Sequence, residues 1–449
     1  MVKNDLLRGE TVKSVVYFAL PIAISSLLQF SYNFVDNIIV GRYVSTEALA
    51  AVGNVGPINS FIVGTALGLT GGFVIPVAQK FGAEDFKKMN AYVANSISLS
   101  FIVGVVIVII APLISNPILR LINTPDNIFE LSLSYINILY LGVPIQMLFN
   151  NFVGIARALG DSKRPLYFLI VSVFFNLVLD ILFVKTFGMG VQGAAIATVL
   201  ANGIACAFTA WYVVRNFYII DLNFKSLKPN WKISAEQLKL GIPVSLQFTI
   251  TSVGSMILQT SINSFGSSAI AAITAAGRVE QIMNVPMSSL GVANATFVSQ
   301  NYGAGNYKRI LDSVNKIFVL DVILSVFCSI VLVAAGPLVV GWFITDSDPQ
   351  IFSYANQYLY TIGGCYVFVS LLFVFRNTLQ GLGFTYANMI AGIGELFGRM
   401  FVAYVLTSYF GFTALCFAGP FAWVLADIPL IIIYLRKRKK FKMLINSVA

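Results

Sequence analysis

The chain contains no histidine. That removes the side chain that most often binds zinc or titrates near neutrality, and with it every His-containing catalytic triad, so any proton chemistry falls to carboxylates. Charge is scarce as well: 11% of the 449 residues are Asp, Glu, Lys or Arg, where a soluble surface carries roughly 25%. The four cysteines, Cys206, Cys328, Cys365 and Cys416, lie in separate apolar stretches with no paired spacing. They read as small core residues and exclude a disulfide framework or a thiolate metal site. No Gly-x4-Gly-Lys-Ser/Thr phosphate loop occurs, and Gly381-Leu-Gly383 lacks the rest of a dinucleotide fingerprint. The inventory points away from an enzyme and from any organic cofactor.

What is present is apolar. Hydrophobic residues make up 57% of the chain and the mean hydropathy is +0.83, values that place the chain in a bilayer. Windows of about 20 residues pick out stretches at 15–40, 53–78, 91–115, 132–155, 166–186, 191–214, 240–264, 269–299, 311–343, 351–375, 387–407 and 412–435. Their length predicts an all-α integral membrane protein of twelve transmembrane helices rather than a barrel of short alternating strands. With the N-terminus inside, outer segments hold only Arg42, Arg120 and Lys185, and the remaining bases gather on the cytosolic side, so both termini are expected in the cytosol. The net charge of +10 then reflects topology. The tail Arg436-Lys-Arg-Lys-Lys440 reads as a stop signal beside anionic lipid headgroups and not as a nucleic-acid site. The first apolar run is interrupted by Pro21 and Asp36 and lacks a small-residue cleavage site, so it is expected to stay in the product.

The chain repeats itself. Val77-Ala-Gln-Lys-Phe-Gly-Ala-Glu-Asp-Phe-Lys-Lys88 recurs as Val298-Ser-Gln-Asn-Tyr-Gly-Ala-Gly-Asn-Tyr-Lys-Arg309. Around these anchors Pro21 pairs with Pro243, Ala48-Leu-Ala-Ala51 with Ala269-Ile-Ala-Ala272, Pro112 with Pro337, and Gly160 with Gly383. The expected division is an N-terminal six-helix lobe at 1–214, a polar cytosolic linker at 215–238 and a C-terminal six-helix lobe with its basic tail at 239–449. Two like halves of this kind usually make a transporter. Pro21 and Pro243 are expected to bend their helices. The spaced glycines Gly64, Gly68, Gly72 and Gly394, Gly398 read as close-packing faces.

An ionisable residue in mid-membrane costs on the order of 3 kcal/mol even on a lenient scale, so each demands a reason. Asp36 is the clearest, sharing one helical face with Asn33 and Asn37. A carboxylate without a cation partner can exchange a proton, or can hold sodium among neutral oxygens. Asn176 and Asp180 stand at i, i+4 on the fifth span, and Thr198 and Asn202 at the same spacing on the sixth; Asn150 and Asn151 lie on the fourth. If the first six spans pack as one bundle, these oxygens converge on Asp36. In the second half, Glu395 and Arg399 have the i, i+4 order of an internal ion pair. Glu280 is a further candidate, with Arg399 or Arg376 as its expected partner. Asp321 and Asp427 stand alone in the ninth and twelfth spans.

Taken together these residues resemble the multidrug and toxic compound extrusion (MATE) family of prokaryotes across essentially the whole chain. The likeness rests on Pro21 and Asp36 in the first helix, Val35-Asp36 followed by Gly41-Arg42, the two Gln-x-Phe/Tyr-Gly-Ala motifs, and Asn176-x3-Asp180 with Thr198 on the next span. The resemblance implies export of amphiphilic, often cationic compounds in exchange for inward H+ or Na+, by a monomer in the inner membrane. It implies cation coupling at Asp36, Asn176, Asp180 and Thr198, with Na+ at this cluster as the sole metal option. Some members carry an essential acid in the seventh helix; Leu240–Ser264 holds none here, which argues against that arrangement. The rival expectation is a flippase for lipid-linked sugars, which a strongly basic cavity would favour.

Overall fold

The computed structural model describes residues 5–122, 124–222, 226–343 and 349–448. The side chain of Asn33 lies outside the described set. Among the described residues every regular element is helical. In chain order these are α1 (Asp5–Arg8), α2 (Thr11–Tyr43), α3 (Thr46–Phe73), α4 (Ile75–Gly82), α5 (Phe86–Leu121), α6 (Asp126–Leu141), α7 (Val143–Ala158), α8 (Lys163–Asp180) and α9 (Gly190–Asn216). The second half contributes α10 (Trp231–Asn263), α11 (Ser267–Gly303), α12 (Tyr307–Phe343), α13 (Pro349–Gly364), α14 (Tyr366–Gly381), α15 (Tyr386–Phe401), α16 (Thr407–Phe410), α17 (Phe412–Cys416) and α18 (Ala418–Val448). Wide π turns follow α8 at Ile181–Thr186 and α15 at Val402–Leu406.

Nine continuous helical stretches are long and apolar enough to cross a membrane, and two bent pairs raise this to 11 among the described residues. The remaining expected span, 269–299, lies in α11, whose 37 residues have the length but a more polar composition that includes Arg278 and Glu280. Large apolar side chains stand exposed on the outer faces, as on α5, where Ile109 is 61% and Leu113 74% exposed. Lipid is the solvent that makes such a surface stable. The result is an all-α membrane protein.

The breaks between consecutive helices fall away from the two repeat prolines. Pro21 and Pro243 sit inside α2 and α10, which remain helical through them. The breaks fall between α6 and α7, at 46°, and between α13 and α14, at 53°. At the first, Gly142 precedes a Pro at the start of the new helix, where its missing N–H costs nothing. At the second, Gly363 and Gly364 weaken the turn before Cys365.

The prolines mark something else. The chain divides into two compact units: Ile24–Ser245, and Asp5–Ala23 together with Leu246 onward. Each division falls two residues past a repeat proline, inside an unbroken helix. The units therefore differ from the expected lobes at 1–214 and 239–449, and the 215–238 segment belongs with the first unit. In the first unit the start of α10 is anchored by Gln237, whose Nε2 donates to Phe73 O at 2.9 Å and Tyr92 O at 3.0 Å, and whose Oε1 accepts from Asn95 Nδ2 at 2.8 Å. Gly72 and Gly68 let α3 touch α10 backbone to backbone; a Cβ on Gly72 would lie 2.3 Å from Gly241 Cα. In the second unit Asn301 Nδ2 donates to Leu6 O at 3.1 Å and Arg309 donates to Leu6 O at 3.3 Å and to Gly9 O. Leu6, Val15, Phe18 and Ile22 are buried in that unit's core.

The duplicated text keeps its geometry. Ala48, Ala51, Ala269 and Ala272 are all fully buried. Gly160 and Gly383 close their helices with φ of 91° and 84°, each followed by the same back-directed bond, Asp161 N to Ala156 O and Phe384 N to Leu379 O respectively. In the long motif, Gly305 at φ 72° corresponds to Glu84 at φ 56°.

Candidate functional site

Asp36 lies on the half of α2 that belongs to the first unit, and α8 brings Asn176 and Asp180, each 1% exposed. Their i, i+4 spacing puts both on one face of α8. With the Asn176 amide turned so that both of its ends are satisfied, its nitrogen donates to Asp36 Oδ1 and Asp180 Oδ2, each at 2.9 Å. The two carboxyls also lie close to one another. Two acids so placed need a proton or a small cation between them, because two bare carboxylates repel. Asp180 Oδ1 is buried with no donor among the described residues. Asp180 closes α8 just before the π turns, which supply an irregular backbone beside the acids.

Thr198 of α9 joins through an intermediary. Its Oγ1 donates to Ala194 O at 3.0 Å and accepts from the Tyr32 hydroxyl at 3.3 Å. The Tyr32 hydroxyl also lies close to Asp36, and Tyr135 of α6 lies near both acids. Sequence reasoning missed the two tyrosines. Tyr32 stands four residues before Asp36 and hence on its face, a signal hidden among 19 tyrosines.

The other polar candidates stand apart. Asn151 is fully buried but faces α5, accepting from Ser96 Oγ at 3.1 Å. The Asn150 amide nitrogen is buried without a partner among the described residues. Asn37 and Asn202 are half-buried and make no hydrogen bond to the acids. Of the expected cluster, then, Asp36, Asn176, Asp180 and Thr198 are gathered, while Asn37, Asn150, Asn151 and Asn202 are not.

In the second unit Glu395, 2% exposed, is paired with Arg376 and, at 3.6 Å, with Arg399. Arg399 Nη1 further donates to Thr251 O at 2.8 Å. Both guanidiniums are therefore committed to Glu395, and Glu280 is not paired with either as expected. Its carboxyl accepts instead from the Tyr358 hydroxyl at 2.7 Å and from Asn284 Nδ2 at 3.5 Å. The four cysteines are free, with Cys328 and Cys416 buried. Among the described residues no cluster of three or more metal-ligating side chains occurs.

Two like halves of membrane-spanning helices, with the half-buried Asp36 and the buried Asp180 bridged by one amide in the first, have the architecture of a membrane transporter. The MatE family model matches residues 21–182 and 243–405, and the chain belongs to that family. Each matched segment opens on a repeat proline. The chain is 31% identical over 379 residues to "Probable multidrug resistance protein YpnP" of Bacillus subtilis strain 168, covering 84% of each. It is 24% identical to "Multidrug export protein MepA" of Staphylococcus aureus strain MSSA476, over 88% of this chain and 85% of that one. Among solved structures it superposes with TM-score 0.86 and 26% identity on an outward-facing multidrug resistance MATE transporter, over 99% of this chain and 98% of that chain. A second MATE structure, in complex with MaL6, gives TM-score 0.89 at 25% identity, over 98% of this chain and 99% of that one.

Proposed function

We propose that the protein is a secondary active antiporter that exports amphiphilic, often cationic organic compounds in exchange for inward H+ or Na+. The bridged pair Asp36–Asn176–Asp180 carries the reading. A proton or Na+ bound between the acids removes their repulsion. Its release leaves two charges that Asn176 and Tyr32 must stabilise, so occupancy changes the balance of forces between α2 and α8. Protons are favoured over sodium, because closely placed carboxyls suit a shared proton and leave few neutral oxygens for a metal shell. Multidrug export by the relatives whose names carry it supports the substrate class. The protein works as a monomer of the plasma membrane, the inner membrane where there are two, with both termini cytosolic and no organic cofactor. Gradient energy of about 2.3 kcal/mol per charge per 100 mV drives it. The flippase reading ranks below, since Arg376 and Arg399 are tied to Glu395 and do not present a free basic wall.

The test is transport of ethidium in liposomes under an imposed pH gradient, then under a sodium gradient. Wild type should accumulate substrate against its concentration under the pH gradient, and Asp36→Asn and Asp180→Asn should each lose that accumulation. Full gradient-driven transport by Asp36→Asn would remove this carboxyl from the mechanism.

A further inference from the structure

A buried acid in the second unit is left without a task. Asp427 of α18 is 4% exposed, and both of its carboxyl oxygens lie without a hydrogen-bond partner among the described residues. Its level in the bundle is fixed by glycine contacts between α15 and α18. A Cβ at Gly394 would lie 2.8 Å from Leu425 O, and one at Gly398 would lie 2.8 Å from Ala422 Cα. The two helices thus touch backbone to backbone beside Glu395 and one turn before Asp427.

The charged surroundings are specific. Arg376 of α14 and Glu395 of α15 act electrostatically on Asp427, though neither is in ion-pair contact with it. Arg376 is paired with Glu395, yet its Nε is buried with no acceptor. Arg399 lies on the other oxygen of Glu395. From α12, which also packs on α18, comes Asp321, whose electrostatic neighbour is Cys328. The segments Phe412–Cys416 and Val402–Leu406 bring only Cys416 and Tyr404 as titratable groups.

Two arginines on one glutamate leave a net positive charge in a low-dielectric interior. A neutral Asp427 tolerates its lack of donors; an ionised one does not, and it would be a further anion near Arg376, whose Nε is unbonded among the described residues. We propose that Asp427 is a second proton-binding carboxyl, in the second unit, whose deprotonation draws Arg376 from Glu395 toward Asp427. The proton leaves to water, and Glu395 keeps Arg399, so both acids remain compensated. The charge change acts on the packing of α14, α15 and α18, where the glycine contacts leave no slack.

The experiment needs no transport readout, so it stands or falls apart from the Asp36 reading. The full-length protein in lipid is studied by infrared spectroscopy across pH, following the C=O stretch of protonated carboxyls, in an Asp36→Asn/Asp180→Asn background that removes the first unit's acids. Above the range of exposed carboxyls a titrating component should remain, should be lost on adding Asp427→Asn, and should persist with Asp321→Asn or Glu280→Gln. Arg376→Gln should move its titration to higher pH by about one unit or more, because a neighbouring cation favours the ionised acid. Asparagine is isosteric with the neutral acid; should that variant fail to fold, Asp427→Glu carries the assignment by moving the band's frequency. A component above the range of exposed carboxyls that survives Asp427→Asn unchanged, or no such component in the background protein, overturns the proposal.

Discussion

At the scale of single residues, the first unit's site is an arrangement of donors around two acids. Asn176 supplies the donor that both share, and Tyr32 a second that can serve Asp36 or Thr198. A hydrogen bond to a charged group is worth about 1.5–3 kcal/mol, and 1.4 kcal/mol is about tenfold in an equilibrium. Tyr32→Phe is therefore expected to slow pH-driven ethidium transport about tenfold, while Asn150→Ala and Asn202→Ala stay within about twofold of wild type. Equal losses in all three variants would mean that the wider polar set acts together. Asp36, Asn176 and Asp180 were legible in the sequence because polar groups in apolar spans are rare and the i, i+4 spacing fixes a shared face. The asparagines that fell away were not separable on the same grounds. Asn151 has the right composition and depth, but its helix turns it toward Ser96 of α5, a choice made by packing angles that no local pattern records.

At the scale of elements, the helices followed from hydropathy, and their interruptions did not. Window averages smooth over Gly142 and over Gly363-Gly364, so two bent pairs were read as single spans. The π turns after α8 and α15 were equally invisible. They occur at matching places in the repeat, yet only the first adjoins acids. Carried across by the offset between Pro21 and Pro243, Asp36 corresponds to Leu258, and by that between Gly160 and Gly383, Asp180 corresponds to Ala403. The second copy of the site is apolar. The long repeated motif offers a cleaner comparison, because one left-handed position is Glu84 in the first copy and Gly305 in the second. The left-handed conformation costs a non-glycine residue on the order of 1 kcal/mol, part of which glycine returns through its freer unfolded chain. Glu84→Gly is expected to raise the melting temperature slightly, by about 0.5 kcal/mol of stability. Gly305→Glu should lower it by a similar amount, since a Cβ there meets nothing within 4 Å and only the backbone angle is penalised. Thermal unfolding in detergent with both variants reads the sign.

At the scale of the molecule, the duplication was legible in the sequence, and the division into units was not. A reading by apolar runs assigns each helix whole to one lobe, whereas the units part inside α2 and α10, two residues beyond Pro21 and Pro243. Proline removes one backbone hydrogen bond and weakens the helix locally, which makes these the points where one helix can serve two bodies. The anchors on either side are separate sets of bonds: Arg309 and Asn301 hold the segment from Leu6, and Gln237 holds the start of α10. Hydrogen–deuterium exchange distinguishes them. Arg309→Met should raise exchange in Asp5–Phe18 about tenfold, the equivalent of losing about 1.4 kcal/mol of charged hydrogen bonding, and leave Trp231–Leu240 unchanged. Gln237→Leu should do the reverse, exposing Trp231–Leu240 while the first segment keeps its protection. If either variant loosens both segments equally, the two helix beginnings are held by one cooperative structure, and the division at the repeat prolines has no energetic meaning.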